Sequence, residues 1–473
     1  MGIRNAHNAK IVTFLPYDAL ASRTVMVTVG TPLPTRTRKK RRWRRRTELG
    51  MILMASGLTT GAYILVNLSL KSKLPTDLEV FLGVIIGLAI VAHLATRWLA
   101  PEADSVLLPL VVLLNGLGYV MIARLDVYAK HPYGPNQALW SMIGVGLYVL
   151  TLFVVKRSRD LDRYRYLMAF AAGILLILPL MPFVGETVYG SSLWIHIGAV
   201  TFQPVEIAKL ALVIFFASYF IEKRELMTLG TIRVGNRLIT DPRPFGPLLL
   251  AAGLSLAAMG IEHDVGFALL LFVLFMSMLW LATGRIRYVL VGAVIFIIGT
   301  YVGSHVLYQV NERLAIWFDP WKDPFGNGMQ PIQGIIALAT GGIGGSGLGQ
   351  GATGLYVAVP QSDFIFSAFG EELGLFGTTA ILVAYMLIIG SGLRIAISAR
   401  SEFAKLVAAG LTVLIGFQTF FILAGVERVL PLTGLTLPWV SYGGSSLVTN
   451  YILLALLMRI SSEANERQVE LLS

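Results

Sequence analysis

Apolar runs of about twenty residues recur along most of the 473-residue chain, and each is long enough to cross a hydrocarbon core as a helix. Backbone N–H and C=O groups in lipid have no water to bond, so such runs fold as helices that satisfy those groups internally. The runs fall near 49–70, 78–99, 105–123, 136–155, 166–184, 204–221, 245–261, 265–283, 287–308, 364–391, 404–424 and 437–458. With 55% hydrophobic residues, 14% charged residues and a mean hydropathy of +0.72, little is left for a separate water-soluble domain. The expected fold is therefore all-α: a polytopic integral membrane protein with about twelve transmembrane helices.

The net charge of +11 is concentrated at one place, because nine Lys and Arg residues stand between Arg36 and Arg46 in RTRKKRRWRRR. Beside the first span, such a run reads as a cytoplasmic anchor on anionic lipid, each basic residue contributing about 1 kcal/mol. No nucleic-acid partner is expected from it. The connections at 97–104, 156–165, 223–243, 285–287 and 394–405 hold 16 Lys and Arg, against about seven on the opposite side. Positive charge stays inside, so the first set and both termini are expected in the cytoplasm, with the chain multi-pass in the cytoplasmic (inner) membrane. Residues 1–35 show no cleavable signal pattern. The chain has no cysteine, which excludes disulfides, thiolate metal ligands and cysteine nucleophiles; its six histidines are scattered.

The same topology makes the longest connection, 309–363, extracytoplasmic, and long connections of this kind usually carry function. It reads RLAIWFDPWKDPFGNGMQPIQ, then GGIGGSGLGQG, then SDFIFSAFGEELGLFG as the chain re-enters the membrane. These stretches resemble the large external loop of the shape, elongation, division and sporulation (SEDS) family that contains RodA and FtsW. Three further blocks agree: WIHIGAVTFQPVEIAKL (Trp194–Leu210), EHDVGFALLLF (Glu262–Phe272) and PLTGLTLPWVSYGGSS (Pro431–Ser446). The resemblance covers about residues 135–460 in order and is greatest to actinobacterial RodA-type members. Departures are Met329 within Gly-Tyr-Gln, Gly334 within Gln-Ser, Gln361-Ser362 for His-Thr, and Leu193 for a basic residue. Two additional helices precede the usual ten.

The resemblance implies four regions: a basic, disordered cytoplasmic tail at 1–47, the additional helices at 48–130, a glycosyltransferase membrane domain at 131–460 with its catalytic loop at 309–363, and a cytoplasmic tail at 461–473. It implies polymerisation of lipid II by inverting glycosyl transfer, in complex with a class B penicillin-binding protein. A sugar 4-hydroxyl is a poor nucleophile near neutral pH, and a positioned carboxylate base contributes roughly 10²- to 10⁴-fold. Asp319 and Asp323 both precede proline in the loop, and residue chemistry alone leaves both open; the resemblance selects Asp323. An Asp before Pro324 and Gly326 can equally cap a turn.

Arg313 and Lys322 are candidates for holding pyrophosphate, by bidentate guanidinium contact or as a point charge; Gln330 and Gln333 are candidates for substrate contact. GGIGGSGLGQG lacks the lysine and the strand-to-helix setting of a phosphate-binding loop, so a turn against the membrane is expected. Glu206 and Lys209 share one helix face after Pro204 and are expected to pair, and the resemblance gives the pair a regulatory role. Asp264, Glu371 and Glu372 are candidates for lining a cavity, where carboxylates could hold Mg or Mn beside pyrophosphate. Ser441 and Tyr442, in SYGGSS, are cavity candidates by resemblance, and Asn115 is expected to bond between helices. Trp317 and Trp321 read as interfacial anchors. The competing classes are a lipid-precursor flippase or transporter, which would carry midplane binding groups and internal repeats, and a noncatalytic scaffold with no need of Asp323.

Overall fold

A computed structural model of the chain describes residues 35–472, apart from 76–77, 130–131, 182–183, 189–190, 198–199, 230, 235–236 and most of 241–263. Among these residues, ten helices have the length and composition to cross a membrane. In chain order the helices are α1 (Thr35–Lys71), α2 (Leu78–Leu99), α3 (Leu107–Leu125), α4 (Gly134–Val154), α5 (Arg165–Ile177, extended by 3₁₀ turns at both ends) and α6 (Val205–Leu229). There follow α7 (Val265–Thr283), α8 (Ile286–Val306), α9 (Tyr308–Phe318), α10 (Met329–Gly341), α11 (Ile365–Ser398), α12 (Glu402–Val426) and α13 (Gly444–Leu472). The expected span at 204–221 falls on α6, which is not one of those ten; its buried stretch holds Glu206 and Lys209. The expected span at 245–261 lies outside the described residues.

Lipid tails are as apolar as leucine, so these helices associate through close packing and interhelical hydrogen bonds rather than through exclusion of water. At the centre, α13 packs on α4, while α12 is enclosed by α6, α7 and α11. Gly118 of α3 lets that helix press on the backbone at Val440, where a Cβ would overlap the Val440 carbonyl. Asn115 forms the expected interhelical bonds, donating to Ser141 Oγ at 3.3 Å and Tyr451 Oη at 3.1 Å. By contrast α8 presents Leu290, Val294, Ile297 and Tyr301 outward and packs on α7 and α9 alone among the more extensive contacts.

Three features differ from the expected layout. Residues 35–47, expected as part of a disordered tail, are the first turns of α1. Lys and Arg are good helix formers, and extending an existing helix needs no new nucleation. The 309–363 connection is largely helical, formed by α9, α10, a 3₁₀ turn at Pro320–Lys322 and one turn at Thr353–Tyr356. Residues 437–443, expected to open the last span, are irregular. That backbone survives inside the bundle because it is bonded: Leu437 N–H donates to Ser441 Oγ (3.0 Å) and Tyr442 N–H to the Gln361 carbonyl (2.8 Å).

Two small β elements flank α6. An antiparallel sheet of β1 (Gly185–Val188), β2 (Ser191–Ile197) and β3 (Val200–Phe202) precedes it, with Ile195 opposite Phe202. A hairpin of β4 (Thr231–Val234) and β5 (Arg237–Thr240) follows it.

Candidate active site

Helix α9 stops at Phe318 because Asp319 precedes Pro320, and a residue before proline is pushed out of the helical region. Asp319 then accepts the Trp321 N–H at 3.1 Å, closing the 3₁₀ turn. The pattern repeats four residues on. Asp323 precedes Pro324, and its carboxylate accepts the N–H groups of Gly326 at 3.1 Å and Asn327 at 3.0 Å. Both aspartates are therefore turn caps. A carboxylate has about four acceptor positions, and Asp323, being exposed, keeps the remainder open. Gly326 leaves room for this arrangement, since a Cβ there would push the Asp323 carboxylate out of its present position.

The turn borders a cavity of about 150 Å³ whose polar lining comes from Arg313, Asn327, Gln330, Asp363 and Arg428, with Trp317 beside them. Asn327 is the link, because its backbone N–H holds Asp323 while its side chain meets Glu312. Arg313 spans from α9 to the segment after α12, donating to the carbonyls of Leu432 (3.3 Å) and Thr433 (3.0 Å). Burial raises the Asp363 carboxyl above the usual carboxylate range, opposed by the Ser362 hydroxyl and the Arg313 charge. Asp264 caps α7 by accepting the Phe267 N–H at 3.1 Å. Burial pushes it up to about 6, against that N–H and Arg313. Glu262 is buried with no hydrogen-bond partner among the described residues; burial, then the Asp264 charge, push it up to about 8.

The structure thus gathers Arg313 and Gln330 at one cavity; Asp323 does not line it and is joined to it through Asn327, whose N–H its carboxylate accepts. Lys322 is exposed and Gln333 half-buried on α10, and neither lines it. Glu206 and Lys209 form a fully buried ion pair at 2.5 Å, and Lys209 also donates to Gln418 Oε1 at 2.9 Å. Gln418 in turn donates to the Thr436 carbonyl at 2.8 Å, so the pair reaches the irregular segment before α13. Ser441 donates to the Ser362 carbonyl at 2.6 Å, next to Asp363, and Tyr442 packs edge-on against Tyr133.

Glu371 and Glu372 serve the glycine-rich segment. Glu371 accepts the N–H groups of Ala352 and Thr353, both at 2.8 Å, and Glu372 those of Gly349 (2.8 Å) and Gly351 (3.3 Å). Their own carbonyls take Ser346 N–H (2.8 Å) and Gly347 N–H (3.0 Å). The segment is a clamped turn whose donors are occupied by carboxylates and carbonyls of its own chain. Gly374, at φ +63, breaks α11 just beyond, where a Cβ would collide with the same turn. These carboxylates do not fit a divalent cation, since their oxygens are committed to N–H donors and to Arg124, and among the described residues no three His, Asp or Glu converge.

Residue chemistry along the chain did not single out Arg124, Asp363, Glu262, Gln418 or Arg428. The signal for Arg124 was an ionisable residue at the end of a span. Asp363 is the second residue of the SDFIF block and Arg428 lies just before the Pro431–Ser446 block, but neither carried a signal of its own.

Fold and site together define a multi-pass membrane protein with a charged cavity on the face of its longest connection. The chain matches the FtsW/RodA/SpoVE family of cell cycle proteins over residues 105–466, and it belongs to that family. It is 42% identical over 445 residues to the peptidoglycan glycosyltransferase RodA of Mycobacterium tuberculosis, covering 93% of each chain. It is 32% identical over 369 residues to the probable peptidoglycan glycosyltransferase FtsW of Geobacter sp., covering 76% of this chain and 96% of that one. Among solved structures it is similar to a chain of a peptidoglycan synthase complex that coordinates polymerization and crosslinking, with a TM-score of 0.62 and 26% identity over 76% of this chain and 98% of that chain. The crystal structure of Thermus thermophilus RodA gives 0.55 and 25% over 77% and 98%. Helices α1 and α2 lie outside the family match.

Proposed function

We propose that this chain, a peptidoglycan glycosyltransferase of the FtsW/RodA/SpoVE family, polymerises lipid II at the cavity beside Asp323, on the outer face of the cytoplasmic membrane. Asp323 is the base. Its carboxylate takes the proton from the acceptor sugar 4-hydroxyl as that oxygen bonds to the donor anomeric carbon. The bond from that carbon to pyrophosphate breaks, and undecaprenyl pyrophosphate leaves with the bonding electrons. Attack from the face opposite the leaving group inverts the anomeric centre.

The observation that carries this reading is the placement of an exposed carboxylate, oriented by two N–H groups, one hydrogen bond from a cavity holding Arg313, Gln330 and Arg428. Orientation by two donors fixes where the open acceptor positions point, which is what a general base needs before its substrate arrives. Arg313 and Gln330 suit the pyrophosphate and sugar oxygens, with Lys322 adding positive charge at the rim. The Glu206–Lys209 pair governs activity through Gln418 and the segment carrying Ser441 and Tyr442. The partner is a class B penicillin-binding protein, in keeping with the similarity to a synthase-complex chain. Twelve spans with both termini in the cytoplasm put the 309–363 connection outside, where lipid II is used.

Asp323→Asn tests the chemistry. Asparagine keeps the shape and one acceptor oxygen but is no base, so glycan synthesis from purified lipid II is expected to fall roughly 10²- to 10⁴-fold with insertion and folding retained. Asp319→Asn is the control and retains more activity. Parental rates from Asp323→Asn would remove the base assignment. For orientation, a reporter active only outside the cytoplasm should work when fused near Gly345 and fail near Arg237; the reverse pattern would overturn the topology.

A further inference from the structure

Arg428 stands where backbone physics prefers another residue. Helix α12 ends with Glu427 N–H on the Leu423 carbonyl (3.0 Å), Arg428 N–H on that of Gly425 (3.2 Å) and Leu430 N–H on that of Ala424 (3.0 Å). This closure places Arg428 in the left-handed region at φ +58. Helices that end this way usually carry Gly, sometimes Asn, at that position, because other side chains crowd the following carbonyl. A second unfavourable feature is the Arg428 Nε–H, buried without a partner.

The side chain offsets both through the bonds it makes. One terminal nitrogen donates to the carbonyls of Trp317 (3.0 Å) and Phe318 (3.2 Å), the last two of α9, and the Trp317 indole N–H returns a bond to the Arg428 carbonyl (3.0 Å). The final carbonyls of a helix lack partners within it, so a guanidinium in this place closes the helix end and ties it down. The residue after Phe318 is Asp319. From there to Asp323 the chain has little freedom, with proline at 320 and turn bonds from Lys322 N–H to the Asp319 carbonyl (3.4 Å) and from Asp323 N–H to that of Pro320 (3.3 Å).

We infer that Arg428 is a positioning residue for glycosyl transfer: by capping α9 against the end of α12, it sets where the Asp323 carboxylate stands relative to the cavity. This rests on the reading of Asp323 as the base. A misplacement of 1 Å can cost about 10²-fold in rate, so the clamp bears on turnover while touching no reacting atom.

The test uses the purified full chain, with its penicillin-binding protein partner present if activity requires it, and lipid II as substrate. Arg428→Gly suits the left-handed backbone, so its melting temperature is expected to equal or exceed the parental value while kcat falls at least about tenfold and KM stays within about twofold. Arg428→Lys, whose ammonium can still donate to the same carbonyls, should restore kcat part of the way. The inference fails if kcat is unchanged, if melting temperature and kcat fall together in both variants, or if KM rises while kcat holds, which would make Arg428 a substrate contact. Asp323→Asn in the same assay separates the two readings. An active Asp323→Asn defeats the base assignment, whereas an inactive one beside a fully active Arg428→Gly defeats this inference alone.

Discussion

Replacing Glu372 by leucine should unfold the glycine-rich turn, and the structure sets the size of the effect. Arg124 and Glu372 are 1% and 2% exposed, and the guanidinium Nε meets the carboxylate at 2.6 Å. A second Arg124 nitrogen donates to the Gly351 carbonyl, and the third is buried without a partner. Arg124 therefore has one counter-charge. Glu372→Leu leaves a buried, unpaired guanidinium, which costs about 3–5 kcal/mol. It also strips the acceptor from Gly349 and Gly351 N–H, at about 1–3 kcal/mol for each that stays dry. The turn lies near the bundle surface and can admit water, so the total is expected near 4 kcal/mol rather than the arithmetic sum. Arg124→Leu should be comparably severe because it strands the Glu372 charge. The double variant removes both charges and leaves only the orphaned N–H groups, so it is expected to be no less stable than the milder single variant. Denaturant-titrated unfolding of purified protein in detergent measures all three. Additive losses, with coupling below about 0.5 kcal/mol, would refute the claim that this pair is a closed electrostatic unit.

Other consequences concern the remaining buried charges. Lys209→Met strands Glu206 inside the bundle and should cost about 3–5 kcal/mol together with most of the activity. Exchanging the two residues, Glu206→Lys with Lys209→Glu, should recover part of that activity, the part limited by how well Gln418 turns its amide to the new charge; no recovery would mean that the two residues act separately. The raised Asp264 carboxyl gives a pH signature. Its folded value of about 6 lies above its unfolded value, so its contribution to stability is complete below about pH 4 and is lost as pH rises through 6. Asp264→Asn abolishes that dependence, and the stability difference between variant and parent should shift in favour of the variant across this window; a flat difference would discard the shift.

What the sequence determined by itself was local. A run of apolar residues meets its solvent one residue at a time, so span length, the charge bias of the connections and the helix start after Pro204 could all be read without knowing what lies alongside. The Asp-Pro repeats at 319 and 323 were legible as turns for the same reason, since each cap is satisfied within four residues. Motif resemblance added the choice between them, which turn chemistry could not make because both aspartates cap alike. Only the tertiary structure decided which distant groups meet. Arg124 finds Glu372 across 248 positions and Arg428 finds Trp317 across 111. Nothing local distinguishes a carboxylate that will clamp a glycine turn, as Glu371 and Glu372 do, from one that will line a cavity. The last span also began later than its apolar pattern because 437–443 could trade helical bonds for bonds to Ser441 and Gln361. Hydrophobicity reports that a segment is buried, while the identity of its partners depends on which helices pack side by side, and that is a property of the whole bundle.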